Sequence, residues 1–231
     1  MEIPEIQILA TRQIDEELVR TAAAYSIFIT EIPFIETELH PVTLFDEQLK
    51  SSTARDLVLT SVNAVLSIAR IDAVRQTPWR VWCIGHATRT AAELNLPQSF
   101  IAGAAPDGEQ LAAAIIAGDV KTALFCCGDR RRDVIPDKLK GAGIAVEELE
   151  VYRTKLVPQR IERHFDGILF FSPSAVESYL TENIPPAGAV LFAIGNTTGA
   201  ALSALPNKLL ISESPDTRIL IKQLIEHYRQ R

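Results

Sequence analysis

Short apolar runs alternate with amphipathic stretches along the whole chain. The runs at residues 6–10, 27–30, 57–59, 81–84, 123–126, 144–146, 168–171, 190–194 and 209–211 are brief and largely aliphatic. That is the pattern of parallel strands buried on both faces. The stretches between them read as helices. In the last, Leu220, Ile221, Leu224, Ile225 and Tyr228 follow i, i+4 spacing. Ser214 is placed to cap this helix and Pro215 suits its first turn. Repeated strand–helix alternation predicts an α/β architecture with parallel sheets flanked by helices.

The chain also resembles itself. Leu57-Val58-Leu59-Thr60-Ser61-Val62-Asn63-Ala64-Val65 is similar to Leu169-Phe170-Phe171-Ser172-Pro173-Ser174-Ala175-Val176. Ile84-Gly85-His86-Ala87-Thr88 is similar to Ile194-Gly195-Asn196-Thr197-Thr198. Both pairs lie about 110 residues apart, which predicts two similar lobes too large for a solenoid repeat. Residues 31–43 and 147–158 look extended, carry prolines, and read as strands outside a compact core. If they pair, lobe one is residues 1–36 with 155–231 and lobe two is residues 42–149. Residues 37–41 and 150–154 then form a two-stranded β-ladder that joins them. Such a connection suits a hinge, and a cleft between lobes is a common place for ligands.

Composition narrows the function. The chain has 231 residues, 47% hydrophobic and only 6% aromatic, so its core is mainly aliphatic. A net charge of −6 argues against non-specific nucleic-acid binding, which draws on phosphate neutralisation by Lys and Arg. The one basic run, Arg130-Arg131-Arg132, is too short for a polybasic patch and reads as a solvated helix start. No apolar stretch approaches the ~20 residues of a membrane span. The first residues are acidic where an export signal is basic, so a cytoplasmic location is expected. Cys83, Cys126 and Cys127 read as buried reduced thiols. His40, His86, His164 and His227 lack ligand spacing, so no metal site is expected. No exposed apolar helix face suggests an obligate dimer, and a monomer is expected.

No glycine-rich nucleotide fingerprint, phosphate loop, nucleophile elbow or zinc-protease motif is present. What remains is a set of turns rich in hydroxyls and glycine: Thr60-Ser61, Gly85 to Thr88, Gly128-Asp129, Ser172-Pro173-Ser174 and Gly195 to Thr198. In an open α/β sheet these turns lie at the carboxyl ends of strands, where ligands bind. Helix starts there offer N–H groups and a positive dipole end to anions. A small polyanion fits this pattern better than a long polymer. Taken singly, Ser172 and Thr198 read as helix caps, and Gly85, Gly128 and Gly195 as tight turns. Tyr152 is open between packing and a phenol that donates a proton or hydrogen bond. Arg12 is open between a carboxylate partner and a surface charge.

These residues resemble the uroporphyrinogen-III synthase family. The carriers are Ala10-Thr11-Arg12, Leu59 to Val65, Ile84 to Thr88, Phe125-Cys126-Cys127-Gly128-Asp129, Val151-Tyr152-Arg153-Thr154, Phe171 to Val176, and Ala193 to Thr198. The resemblance implies two α/β lobes joined by a two-stranded ladder. It implies a cyclising lyase that takes hydroxymethylbilane, removes its hydroxyl as water, inverts the D ring and yields uroporphyrinogen III, with no cofactor or metal. The substrate is a polycarboxylate, which suits helix N-termini. The resemblance points to Tyr152 as the catalytic general acid. It also marks Arg12, Thr60, Ser61, Thr88, Ser172, Ser174, Thr197 and Thr198 as substrate-binding. His86 stands where the family often has Lys, Asn196 where Pro is common, and Cys126-Cys127 where Pro or Arg is frequent. Two other readings use the same turns: a non-catalytic two-lobe protein that binds a small anion, and a phosphoacceptor domain. The second needs an acidic cluster at strand ends, and the sequence offers Asp129 alone.

Overall fold

The computed structural model describes residues 5–131 and 133–229, and every count below is of these residues. Arg132, the last of the basic run, lies outside them. The chain begins with β1 (Ile6–Ala10), α1 (Glu16–Ala23), β2 (Ile27–Glu31) and β3 (Ile35–Leu39). After a 3-10 turn at Val42–Leu44 come α2 (Asp46–Ser51), β4 (Asp56–Leu59), α3 (Val62–Ile68), α4 (Asp72–Gln76), β5 (Arg80–Ile84) and α5 (Gly85–Asn95). Then follow β6 (Phe100–Ala105), α6 (Gly108–Ala117), β7 (Thr122–Gly128), α7 (Val134–Gly141) and β8 (Ala145–Leu156). The chain closes with β9 (Gly167–Phe170), α8 (Pro173–Glu182), β10 (Val190–Ala193), α9 (Asn196–Leu202), β11 (Leu209–Ile211) and α10 (Thr217–Arg229).

These elements divide into two compact units, residues 1–36 with 155–231 and residues 37–154. The first unit's sheet has the order β11-β10-β9-β1-β2, with every neighbouring pair parallel. The second sheet has the order β3-β8-β7-β4-β5-β6, parallel from β8 to β6. Beside β8, the His40 N–H donates to the Val151 carbonyl and the Val157 N–H to the Phe34 carbonyl, the opposed residue order of an antiparallel edge. The two five-strand parallel arrangements match when β4, β5 and β6 are laid on β9, β10 and β11, and β7 and β8 on β1 and β2. One unit is thus a circular permutation of the other. The sequence similarity falls on the β4/β9 and β5/β10 turns.

Each parallel strand sends alternate residues to opposite faces, and both faces are covered. In the second unit Leu57, Leu59, Val81, Cys83, Leu124 and Cys126 pack with α3 and α5. Val58, Trp82, Ala123, Phe125 and Cys127 pack with α6 and α7. In the first unit Ile8, Ala10, Leu169, Val190 and Phe192 face α10, while Leu9, Ile168, Phe170, Leu191 and Ala193 face α8 and α9. This two-sided burial is why the strands read as continuous apolar runs.

Three expectations are corrected. Residues 147–151 are not outside the core: with 145–146 they form one long β8 paired along β7, and Leu149 and Val151 are buried. The last helix starts at Thr217, and Ser214 does not cap it. The Asp216 carboxylate accepts from the Arg218 N–H (2.7 Å) and its carbonyl from the Leu220 N–H, while Ser212 donates to the Ser214 carbonyl. Arg130 and Arg131 precede α7 rather than opening it, and Arg131 pairs with Glu148 and Asp133.

Two features yield stability predictions. The buried Asp56 carboxylate accepts from the Trp82 indole N–H (2.7 Å) and lies 3.3 Å from Arg80. Trp82→Phe removes that donor and should lower the unfolding free energy by about 2 kcal/mol in urea titrations; unchanged stability would contradict the assignment. Burial also pushes the Cys126 thiol up, and the Cys127 thiol up to about 11. Below the ordinary thiol value of about 8.5 both states keep the proton and stability is flat. As pH rises towards 11, the unfolded thiols ionise first and stability falls, by at most about 1.4 kcal/mol per pH unit for each thiol. Cys127→Ala should show a shallower alkaline fall than the native chain, and equal slopes would refute it.

Candidate functional site

In an open α/β sheet the ligand crevice lies outside the carboxyl ends of the strands, where the strand order reverses. That point falls between β4 and β7 in the second unit and between β1 and β9 in the first. The turns singled out from sequence are at these ends.

In the second unit β4 ends at Leu59, and Thr60 and Ser61 lead into α3. Ser61 is the N-cap: its Oγ accepts from the Ala64 N–H (3.1 Å). Its own O–H donates to the Tyr152 Oη (3.0 Å). Tyr152 arrives from β8 through a bulge. Cys127 pairs with Glu150, but the next residue, Gly128, pairs with Tyr152, so β8 carries one extra residue. Bulges of this kind re-aim a side chain. Leu149 and Val151 belong to the core on the α3 side, and Tyr152, which strict alternation would turn away, packs against that same core. The Asp129 N–H donates to the Tyr152 carbonyl (3.2 Å), and the Asp129 carboxylate accepts from the Thr154 N–H (2.9 Å).

Tyr152 is half-buried, and burial pushes its phenol above the ordinary tyrosine value; the Ser61 hydrogen bond partly offsets this. The phenol is therefore neutral near pH 7, and among the described residues no acceptor takes its proton. In the same unit, α5 opens on Gly85, whose φ of +76° is in the left-handed region that favours glycine. No side chain caps this helix. Thr88, in its first turn, is buried, and its hydroxyl has no partner among the described residues.

In the first unit Thr11 is buried, and both its N–H and its hydroxyl donate to the Leu169 carbonyl (3.1 and 2.9 Å). This ties the end of β1 to β9. The next residue, Arg12, lays its guanidinium over the Phe171 ring (4.3 Å) and donates to the Thr217 hydroxyl (2.8 Å). Much of Arg12 is exposed, yet desolvation of this head group pulls its pKa below the ordinary guanidinium value. Ser172 is the N-cap of α8, accepting from the Ala175 N–H (3.1 Å), and Ser174 is half-buried one residue into that helix. Gly195 precedes α9, which has no side-chain cap; Thr197 is exposed and Thr198 buried. Thr198 lies inside the helix and is not its cap.

The structure therefore joins Ser61 to Tyr152 directly, and it gives Ser61 and Ser172 the same capping role in the two units. Thr60, Thr88 and the threonines of α9 share strand-end positions, each within its own unit. Thr217 was not legible as a site residue, because nothing in the strand-end pattern reaches the start of α10. The pairing of Gly128 with Tyr152 was hidden as well, since a bulge leaves no mark in a single sequence. Each unit also holds a cavity away from these turns. One of about 240 Å³ includes Arg160, Phe165 and Tyr179, and one of about 270 Å³ includes Arg55, Val74 and Trp79. No group of acidic, histidine or cysteine side chains that could hold a metal occurs among the described residues.

A family model described as uroporphyrinogen-III synthase HemD matches residues 16–222. The fold is similar to the crystal structure of uroporphyrinogen-III synthetase from Helicobacter pylori, with a TM-score of 0.72 and 15% identity over 96% of this chain and 99% of that one. It is also similar to a mutant uroporphyrinogen III synthase from Thermus thermophilus, with a TM-score of 0.67 and 16% identity over 97% and 99% of the two chains. No curated protein matches the sequence. At these identities the solved structures carry the two-lobed α/β fold, while the family model, spanning most of the chain, carries descent: the chain belongs to the uroporphyrinogen-III synthase family.

Proposed function

We propose that this chain converts hydroxymethylbilane to uroporphyrinogen III, with loss of water and inversion of the D ring. The observation that carries this reading is a neutral phenol, Tyr152, held by Ser61 at the strand-order reversal of a chain of this family. Electrons from the pyrrole nitrogen expel the substrate's hydroxyl, and Tyr152 supplies the proton that lets it leave as water. An electron-rich pyrrole pushes hard enough that a weak acid suffices. A phenol whose pKa burial raises keeps that proton across the neutral range. The ring proton released on closure can return to the phenolate, so the cycle is balanced and redox-neutral.

The substrate closes unaided to the uninverted isomer, so the protein must favour the spiro route to inversion over a fast competitor. Holding a flexible polycarboxylate in one shape supplies much of this preference. Each unit brings anion-binding turns for that purpose. The uncapped starts of α5 at Gly85 and α9 at Gly195 present backbone N–H groups, which favour carboxylates. Arg12 adds a fixed charge, and Thr60, Thr88, Ser172, Ser174, Thr197 and Thr198 add hydroxyls. Backbone donors of this kind tolerate change in neighbouring side chains, which accommodates His86 and Asn196.

Purified protein mixed with hydroxymethylbilane should give mainly the type III isomer, read by chromatography after oxidation to porphyrins. Type I alone, as in the enzyme-free control, would defeat the proposal; with a ligand-induced melting shift, it would favour a binding protein. Tyr152→Phe should lower kcat by about 10²-fold, the usual scale of general-acid help, with a melting temperature close to that of the native chain. Full activity in that variant would remove Tyr152 from the mechanism.

A further inference from the structure

Gly128 has no place in the chemistry proposed above, yet it is buried beneath the proposed acid. A Cβ built on Gly128 would stand 2.5 Å from Cε2 and Cζ of the Tyr152 ring and 2.9 Å from its Oη. Those separations are well inside van der Waals contact, so the ring fills the space a side chain at Gly128 would need, and no larger residue can occupy that position without moving it. The bulge at this step sets Gly128 directly opposite Tyr152. The oxygen is fixed separately. The Ser61 Oγ spends one lone pair on the Ala64 N–H at the start of α3 and directs its own hydrogen to the Tyr152 Oη. A phenol oxygen that accepts there must turn its own hydrogen elsewhere, and no acceptor among the described residues claims it.

We propose that Gly128 and Ser61 are positioning residues for Tyr152, the first seating the ring and the second turning the phenolic hydrogen outward as an obligatory donor. This rests on the reading of Tyr152 as the proton donor. It moves Ser61 from binding substrate to orienting the acid. Ser172, the corresponding cap in the other unit, shows by contrast what such a serine does without a phenol: it accepts from the Ala175 N–H, and no hydrogen bond from its own hydroxyl occurs among the described residues.

The test uses the full chain with its tyrosines labelled with ¹³C at Cζ, the Tyr152 signal being identified by its loss in Tyr152→Phe. Gly128→Ala should displace the ring towards water and move its titration down towards ordinary tyrosine. Ser61→Gly, which keeps most of the capping at α3 because glycine is a tolerated N-cap, should move the titration up by removing a donor to the phenolate. Both should lower kcat by about tenfold or more with a smaller change in KM. Ser61→Thr, which retains cap and hydroxyl, should recover most of the rate. In the Tyr152→Phe background neither substitution should cost further activity, as expected when both act through one group. Unchanged Tyr152 titration in both variants overturns the positioning roles even if Tyr152 is the acid. Losses that persist undiminished in the Tyr152→Phe background overturn them as well. Altered titrations alongside a fully active Tyr152→Phe would instead overturn the acid itself and leave the seating of the ring intact.

Discussion

A parallel strand covered by helices on both faces has no side chain left over for chemistry. Leu57 and Leu59 go to one layer and Val58 to the other; Ile8 and Ala10 oppose Leu9 in the same way. Polar groups are expelled to the strand ends, and at the carboxyl ends they meet the starts of helices, where backbone donors are unpaired and the dipole is positive. An acidic chain with a net charge of −6 can therefore still offer local sites for anions. The placement of Thr60, Ser61, Thr88, Ser172 and Thr198 follows from this constraint, because each follows a strand whose carboxyl-terminal residues are apolar.

Tyr152 is the departure from that rule, and the bulge in β8 is how the fold accommodates it. Strict alternation after Leu149 and Val151 would send the next residue to the other layer. The extra residue between the Glu150 and Tyr152 pairings brings the phenol to the α3 side, against the cap of that helix. The same step requires a residue without a side chain at Gly128. The phenol oxygen, a helix cap and a backbone irregularity are thus one local arrangement, and half-burial of the ring keeps its proton in place at neutral pH.

Much of this was legible in the sequence. The buried strands showed as apolar runs, and the 3.6-residue pattern of α10 placed Leu220, Leu224 and Tyr228 in the core. The repeat of hydroxyl and glycine turns located both sets of strand ends. The edge strand β6 escaped notice, since Phe100–Ala105 is made largely of small residues and its Gly103 makes way for the Trp82 ring. The start of α10 was misplaced because Ser214-Pro215 looks like a cap and first turn, whereas Ser214 lends its carbonyl to Ser212 and leaves the cap to Asp216. The extent of β8 was hidden because its polar–apolar alternation resembles that of a free-standing strand, and pairing partners are set by register, which one sequence does not display.

The central claim is the proposal that the carboxyl-end turns of the second sheet, with Tyr152 among them, receive the polycarboxylate. Amide NMR of the full chain with a bilane lacking the terminal hydroxyl, which can bind but not react, tests it most directly. The account predicts that the amide signals of Gly85 to Thr88 and Tyr152 move in proportion to occupancy. Saturable binding that moves the signals of the cavity around Arg160 and Tyr179 instead, with those turns unchanged, would contradict it.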